Sequence, residues 1–470
     1  MGKKIYLTTT LPYVNAEPHI GFALEIVQAD AWARTMRLMG YDVVFNTGTD
    51  EHGQKIYEKA LAEKKDPQLY TDEYAAKFDN LKNALNLSYT HFIRTTNVDH
   101  KKAAQEFWRR CLKNGDIYKK NYKMKYCVGC ELEKTDSELI NNHCPVHPNL
   151  ELQTIEEENY FFRFSKYENA LLELYRSRPD FVLPHFRLKE IETFVSQGLQ
   201  DFSISRLRSK MPWGVDVPDD PDHVMYVWFD ALVNYISTIG WPTDEQTYSV
   251  YWPGYQTAGK DNLRQQSAIW QAMLASAGLP FSQQIFIHGF ITSNGQKMSK
   301  SLGNVISPYD IIQTYGADAV RFYLLREIPS LDDGDFSHER MKEIYSSELA
   351  NELGNLVMRL TTIGEKDGLT ITDADYSYNE ELFNIVKRYE FNKAVEQIWN
   401  DVKQLNKEIN EYEPWTKTKE ERSEFMTKSL KQLGNIAYHL QPFMPHTAES
   451  ILASTIGEIK KSTPLFPRLA

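Results

Sequence analysis

A chain of 470 residues with 42% hydrophobic and 25% charged residues is too long for one ordinary core and suggests roughly two to four globular domains. No run of about 18 apolar residues is present, which excludes a membrane-spanning helix; the start, Met1-Gly2-Lys3-Lys4-Ile5, has no apolar signal core, so a cytoplasmic protein is expected. The net charge of −11 argues on bulk grounds against a nucleic-acid protein, although a local basic track can work on an acidic molecule; Ser346–Ala470 carries 15 Lys+Arg against 19 Asp+Glu, so any RNA contact there must rest on a few placed side chains.

In chain order, Ile5–Thr10 reads as a buried strand and Leu11-Pro12-Tyr13-Val14-Asn15 as a loop. Ile20–Met39 has helical apolar spacing and stops at Gly40. Asp42–Asn46 is a second strand, followed by Thr47-Gly48-Thr49-Asp50-Glu51-His52-Gly53. Helical patterns follow at Gln54–Lys64, Thr71–Leu85 and Asp99–Lys113, with a β-branched segment at Thr90–Thr95. Strands alternating with helices predict a parallel sheet that binds ligands at its carboxyl ends. Short polar strands and cysteines over 115–223 read as an insertion, after which Val224–Trp228, a helix over Asp261–Ala277 and the strand Gln284–His288 resume the α/β pattern. Asn351–Thr362, Glu380–Glu411, Ser423–Leu440 and Met444–Ile456 predict a helical bundle.

Two strings carry phosphate chemistry. Pro18-His19-Ile20-Gly21 opens a helix, where free N–H groups and the helix dipole favour phosphate; His19 can donate to a phosphate oxygen and Gly21 admits close approach. Lys297-Met298-Ser299-Lys300-Ser301 sits in a polar loop after a strand, and its two cations can close on departing phosphates. Between them, Asp50 ends a strand where a substrate ammonium can be held. Trp228, Leu232 and Tyr235 fall on one helical face by i, i+4, i+7 spacing; that spacing suits plain core or the wall of an apolar pocket.

The cysteines read Cys127-x2-Cys130-x13-Cys144-x2-His147. Two chelating pairs across a loop suit tetrahedral zinc, and four protein ligands make the site structural. Cys111, on a helical face, reads as an inert core thiol. In the helical region Asn355 and Arg359 leave one face, and Trp415 sits at the break Glu413-Pro414-Trp415, as an exposed ring or a core one.

The two phosphate strings, in this order, look like the HIGH and KMSKS motifs of class I aminoacyl-tRNA synthetases. With Leu11–Asn15, Thr47–Gly53, Gly198-Leu199-Gln200-Asp201-Phe202-Ser203-Ile204-Ser205-Arg206, Tyr226–Asp230, Gly259-Lys260-Asp261 and Asn351-Glu352-Leu353-Gly354-Asn355-Leu356, the chain resembles the methionyl-tRNA synthetases along essentially its whole length. The resemblance implies a multidomain α/β protein: a Rossmann-type catalytic domain in two halves, 1–114 and 224–290, split by a zinc-containing connective insertion at 115–223. A KMSKS loop and stem-contact region would follow at 291–345, then an α-helical anticodon-binding bundle at 346–470.

The resemblance further implies that Asp50 and the backbone at Leu11 hold the methionine amino group. Tyr13, Trp228, Leu232, Tyr235, Asn262, Gln266 and Trp270 would line the side-chain pocket. His19, Gly21, Glu25, Gly259, Asp261, Lys297 and Lys300 would surround ATP and its Mg2+, with His19, Asp50, Lys297 and Lys300 carrying the catalysis. Asn355, Arg359 and Trp415 would read and stack the anticodon of tRNA-Met, initiator included. The implied activity is ATP-dependent formation of methionyl-adenylate and transfer to the tRNA 3′ end. One structural zinc, no membrane partner and a monomer are expected.

Three positions depart from the family's pattern. Phe22 stands where the HIGH motif ends in His, removing one phosphate or ribose contact. Asn262 replaces an apolar residue and Gln266 a His, although a thioether pocket should be apolar with one weak donor toward sulfur, a part the Gln266 amide can take. Leu232 stands where some members have Pro. The alternatives are a class I synthetase for another aliphatic amino acid, or a weakly catalytic tRNA-binding paralogue.

Overall fold

Six strands spread along the chain form one parallel sheet: β1 (Lys4–Thr9), β2 (Asp42–Thr49), β3 (His91–Arg94), β4 (Val182–Leu183), β5 (Tyr255–Gly259) and β6 (Gln284–His288), in spatial order β3-β2-β1-β5-β6-β4. The computed structural model describes residues 3–130, 132–134, 138–298, 303–373 and 375–469. All of β1 beyond Lys4 is buried, because helices cover the sheet on both faces. The chain grows from β1 to β2 and β3 on one side and resumes on the other with β5 and β6. The crevice beyond the carboxyl ends of β1 and β5 is therefore the topological switch point.

The expected elements include no strand at 255–259. Gln256, Thr257 and the flanking glycines lack the apolar run of the neighbouring strands, yet β5 occupies the sheet centre, pairing with β1 (Leu7↔Tyr255) and with β6 (Tyr255↔Gln284). Gln256 is only 1% exposed and is hydrogen-bonded by side chains from other elements, a compensation that exists only in the folded chain.

The helix Ile20–Leu38 is buried nearly all round because it lies between the sheet and the C-terminal helices. Its Asp30 accepts from Arg34 and Ser88 and pairs with the fully buried Arg321 at 2.8 Å. Arg321 also donates to the carbonyls of Leu85, Pro442 and Phe443, tying the segment after β2 to the C-terminal helices. The expected helical stretch Glu380–Glu411 divides into Glu380–Lys387 and Phe391–Tyr412. Tyr389 causes the break: its φ is +60°, and its buried ring stacks on Phe286 of β6 at 4.2 Å and lies parallel to Trp32 at 6.0 Å.

Within 115–223, the strands Ile117–Cys127 and Gln153–Phe162 form a long antiparallel hairpin, joined by Leu132–Lys134 and Phe202–Ser203. The same stretch supplies β4 at the edge of the parallel sheet, so it is woven into that sheet. Among the described residues, no helix is long and apolar enough to cross a membrane.

Candidate active site

Beyond β1 the Leu11–Asn15 loop runs beside the end of β2. Tyr13 and Asp50 form a parallel bridge, Asp50 N donates to Pro12 O at 3.0 Å and Val14 N to Asp50 O at 3.3 Å. This pairing presents the loop backbone and the Asp50 carboxylate, 2% exposed, at one place over the sheet's carboxyl end.

Three consecutive ionisable residues follow β2, and the two after Asp50 point into protein. Glu51 accepts from Arg94 at 2.6 and 3.0 Å and from the hydroxyls of Thr49 and Thr96. Its carbonyl accepts from Trp213 Nε1 at 2.6 Å. His52 faces the buried Asp230 at 3.3 Å, with His100 on the other side at 3.6 Å. Burial opposes the Asp230 charge, but His52 and His100 outweigh it and hold this carboxyl below its usual range. Asp230 belongs to the short helix Val227–Ala231 that carries Trp228, so the cluster fixes the Asp50 strand end against that helix. None of these supports stands out in the sequence as a site residue. Their signal was an Asp-Glu-His run at a strand end, where all three side chains cannot reach water together.

Trp228 is half-buried and meets Tyr13 edge-on, with centroids 6.0 Å apart and an interplanar angle of 80°. The expected continuous helix through Tyr235 breaks into Val227–Ala231 and Asn234–Ser237. Leu232, Tyr235 and Trp270 share one buried cluster, with the Tyr235 and Trp270 rings 5.8 Å apart. Gln265–Ile269 is a π-helical stretch, a widened turn often found at functional sites, and it buries Gln266. The Gln266 amide donates to the Tyr235 hydroxyl at 2.7 Å rather than standing free for sulfur. Asn262 is half-buried and its amide donates to the Asp261 carboxylate at 3.2 Å, which accounts for a polar side chain at this position.

On the other side of the crevice, His19 caps the helix Ile20–Leu38. Its Nδ1 accepts the Gly21 N–H at 3.1 Å, which leaves the proton on Nε2 and makes that nitrogen a donor. Desolvation lowers the His19 pKa, keeping this neutral tautomer, although the residue retains exposed surface. A Cβ at Gly21 would stand 2.9 Å from the His19 ring, so glycine is required for the cap. Phe22 turns inward, edge-on to Phe78 at 5.4 Å and 8% exposed, so this position serves the core.

Glu25 accepts from Thr10 N and Oγ1 and pairs with His288 Nε2 at 2.9 Å; His288 Nδ1 donates to Gly289 O. Burial opposes the imidazolium, but Glu25 and the carbonyl outweigh it and raise the His288 pKa. A Cβ on Gly259 would lie 2.9 Å from Asp261 Oδ1 and 3.6 Å from His288, so Gly259, Asp261 and His288 converge at the ends of β5 and β6. Burial, and then Glu25, raise the Asp261 pKa. Lys297 is exposed in the loop after Ile291–Ser293. Thr292 Oγ1 and Gly295 N donate to Asp335 at 2.6 and 2.7 Å, and Ile20 N donates to Ile306 O at 3.0 Å, so both ends of the loop are anchored. Lys300 lies outside the described residues.

Sγ of Cys127, Cys130 and Cys144 and one nitrogen of His147 lie within 4.8 Å of one another. Burial, then Lys55, Lys297 and Lys134, lower the His147 pKa and favour the neutral ring that ligates metal. This donor set fits zinc. In the bundle, Arg359 lies 4.9 Å over the Trp415 ring and donates to Asn410 at 2.8 Å. Trp415 is 49% exposed, and Asn355 and Arg359 line a groove of about 750 Å³.

The family model for class I tRNA synthetases (M) matches residues 5–153 and 133–361. The methionine–tRNA ligase of Thermotoga maritima is 42% identical over 98% of this chain and 76% of its own length. That of a Nostoc species is 43% identical over 96% of this chain and 89% of its own. The chain belongs to the methionyl-tRNA synthetases. It is a methionine–tRNA ligase of class I. The methionyl-tRNA synthetase of Mycobacterium tuberculosis, in complex with methionyl-adenylate, superposes with a TM-score of 0.91 at 36% identity, covering 99% of this chain and 100% of that one. The synthetase thus combines the class I parallel sheet, the helical C-terminal region and the Cys3His cluster in one architecture.

Proposed function

We propose that the crevice beyond β1 and β5 activates methionine as follows. Asp50 and the Leu11 backbone hold the ammonium, while Tyr13, Trp228, Leu232, Tyr235 and Trp270 enclose the side chain and Gln266 backs it. His19 Nε2–H and Lys297 face the ATP phosphates, and Lys300 would add a second cation from the same motif; Gly21, Gly259 and Asp261 border the nucleoside. A methionine carboxylate oxygen attacks the α-phosphorus, the bond to the bridging oxygen breaks, and pyrophosphate leaves as the cations take up its charge. A hydroxyl of the terminal tRNA adenosine then attacks the carbonyl carbon and AMP departs. Mg2+ accompanying ATP would neutralise phosphate charge.

Glu25 acts at one remove, fixing Thr10 and His288 beside the nucleotide. Cys127, Cys130, Cys144 and His147 hold one structural zinc at the hairpin tip. Asn355, Arg359 and Trp415 contact the anticodon of tRNA-Met by hydrogen bonding and stacking, which needs no basic surface.

The observation that carries this reading is the Tyr13–Asp50 bridge with Trp228 set edge-on to Tyr13: one carboxylate and two aromatic walls in one place. The test is methionine-dependent pyrophosphate exchange by Asp50→Ala. Loss of exchange with a large rise in the methionine KM and an unchanged ATP KM is expected. An equal effect on both KM values would remove Asp50 from the ammonium site.

A further inference from the structure

Asp335, an exposed residue, closes the turn from which Lys297 departs. The strands Ile291–Ser293 and Gly334–Phe336 run parallel, with Thr292 opposite Asp335. Ser293 and Gln296 then exchange both backbone hydrogen bonds, at 2.9 and 3.1 Å, around Asn294 and Gly295, whose φ values are +50° and +71°. Positive φ at both central residues makes the tight two-residue turn of a hairpin. One bonded pair cannot hold such a turn by itself in water. Asp335 Oδ1 supplies the hold, accepting Gly295 N at 2.7 Å and Thr292 Oγ1 at 2.6 Å. Asn294 N also donates to Phe336 O at 3.1 Å. Lys297 comes next after Gln296, so its backbone leaves from this fixed turn.

The strand that carries Asp335 is itself pinned. A Cβ on Gly289 would fall 2.2 Å from the Asp332 carbonyl carbon, so the chain before Asp335 is pressed against the end of β6. Gly334 N donates to Phe290 O at 2.8 Å. Asp333 accepts from Phe290 N at 2.9 Å and from Lys260 Nζ at 2.6 and 2.8 Å. Lys260 adjoins Asp261, so one short stretch of chain holds both the segment bordering the nucleoside and the segment carrying Lys297. We propose that Asp335 is a positioning residue for adenylate formation: by accepting from Gly295 it sets where Lys297 leaves the turn. This rests on the reading of Lys297 as a cation facing the ATP phosphates. A cation that stabilises charge developing in the transition state must already be in place, and a displacement of about 1 Å can cost about a hundredfold in rate. Asp335 acts through the turn alone, and its carboxylate, as a charged acceptor, makes a stronger bond to the Gly295 N–H than a neutral group would.

The experiment measures methionine-dependent pyrophosphate exchange in a double-mutant cycle of Asp335→Ala and Lys297→Ala, with thermal melting of each variant as a check on folding. Asp335→Ala should lower kcat roughly tenfold with the methionine KM unchanged. Asp335→Asn keeps an acceptor oxygen for Gly295 and should recover most of that loss. In the Lys297→Ala background Asp335→Ala should cost almost nothing more, because the group it positions is gone. Losses that multiply in the double variant mark a merely structural role and overturn the proposal. A parental kcat in Asp335→Ala overturns it too, as does an Asp335→Asn variant no better than Asp335→Ala. With any of these, a large loss in Lys297→Ala leaves the phosphate reading of Lys297 standing. A parental kcat in Lys297→Ala overturns both. Where Asp335→Ala does not fold, Thr292→Val, which removes the other donor to the same oxygen, takes its place in the cycle. It should lower kcat roughly threefold in the parent and not in Lys297→Ala, and no loss in the parent overturns the proposal.

Discussion

Glu25 and His288, 263 residues apart in sequence, meet at 2.9 Å beside the carboxyl ends of β1 and β6. Because the folded His288 pKa is raised above its ordinary 6.5, the pair's stabilisation is complete below about pH 6.5 and lost as pH rises through the raised value. His288→Gln leaves Glu25 buried without its cation and should cost about 3 kcal/mol near pH 6. Urea unfolding of the parent and the variant should converge as pH rises through the raised His288 pKa; a gap that widens with pH would contradict the ion pair.

In the proposed mechanism, His19→Ala and Lys297→Ala remove donors to charge that develops as pyrophosphate leaves the α-phosphorus. Each should lower kcat for pyrophosphate exchange by about 10²–10³-fold with little change in the methionine KM. Single-turnover adenylate formation checks this; a change confined to KM would mark them as binding groups only.

Trp415 is half-exposed and held under Arg359, so its ring is not packed in the core and is open to the stacking proposed for it. Trp415→Ala should cost about 1–3 kcal/mol of transition-state binding for tRNA, seen as a lower kcat/KM for charging. Pyrophosphate exchange measured without tRNA should stay at the parental rate. Equal loss of both activities would return Trp415 to a structural role.

The Cys3His cluster should hold about one zinc per chain in protein purified without chelators. Cys144→Ser or chelation should release it and expose the Ile117–Phe162 hairpin to protease while β1–β3 stay protected. Metal analysis that finds no zinc would exclude the four-ligand site.

Much of the site was legible as strings. His19, Asp50, Lys297 and the cysteine pairs sit on local features, a helix start, a strand end, a glycine-turned loop and chelate spacing, which short segments encode. The supports were not legible. Arg94, His100, Asp230 and His288 join the site through partners far away in sequence, and buried polar residues show no periodicity. Phe22 illustrates the difference. As a string it marks a missing phosphate contact; in the fold it is a core ring against Phe78.

By itself, the sequence determined the parallel α/β core, the helical C-terminal region and the Cys3His cluster, since helix caps, alternating elements and chelate spacing act over a few positions at a time, and its resemblance to a family gave the activity. Only the tertiary structure decided that Gln256 lies in a central strand, that Tyr389 breaks a helix to wedge between Trp32 and Phe286, and that Gln266 points at Tyr235. Each of these depends on which distant groups share a buried space, where every donor must find an acceptor and every ring a face.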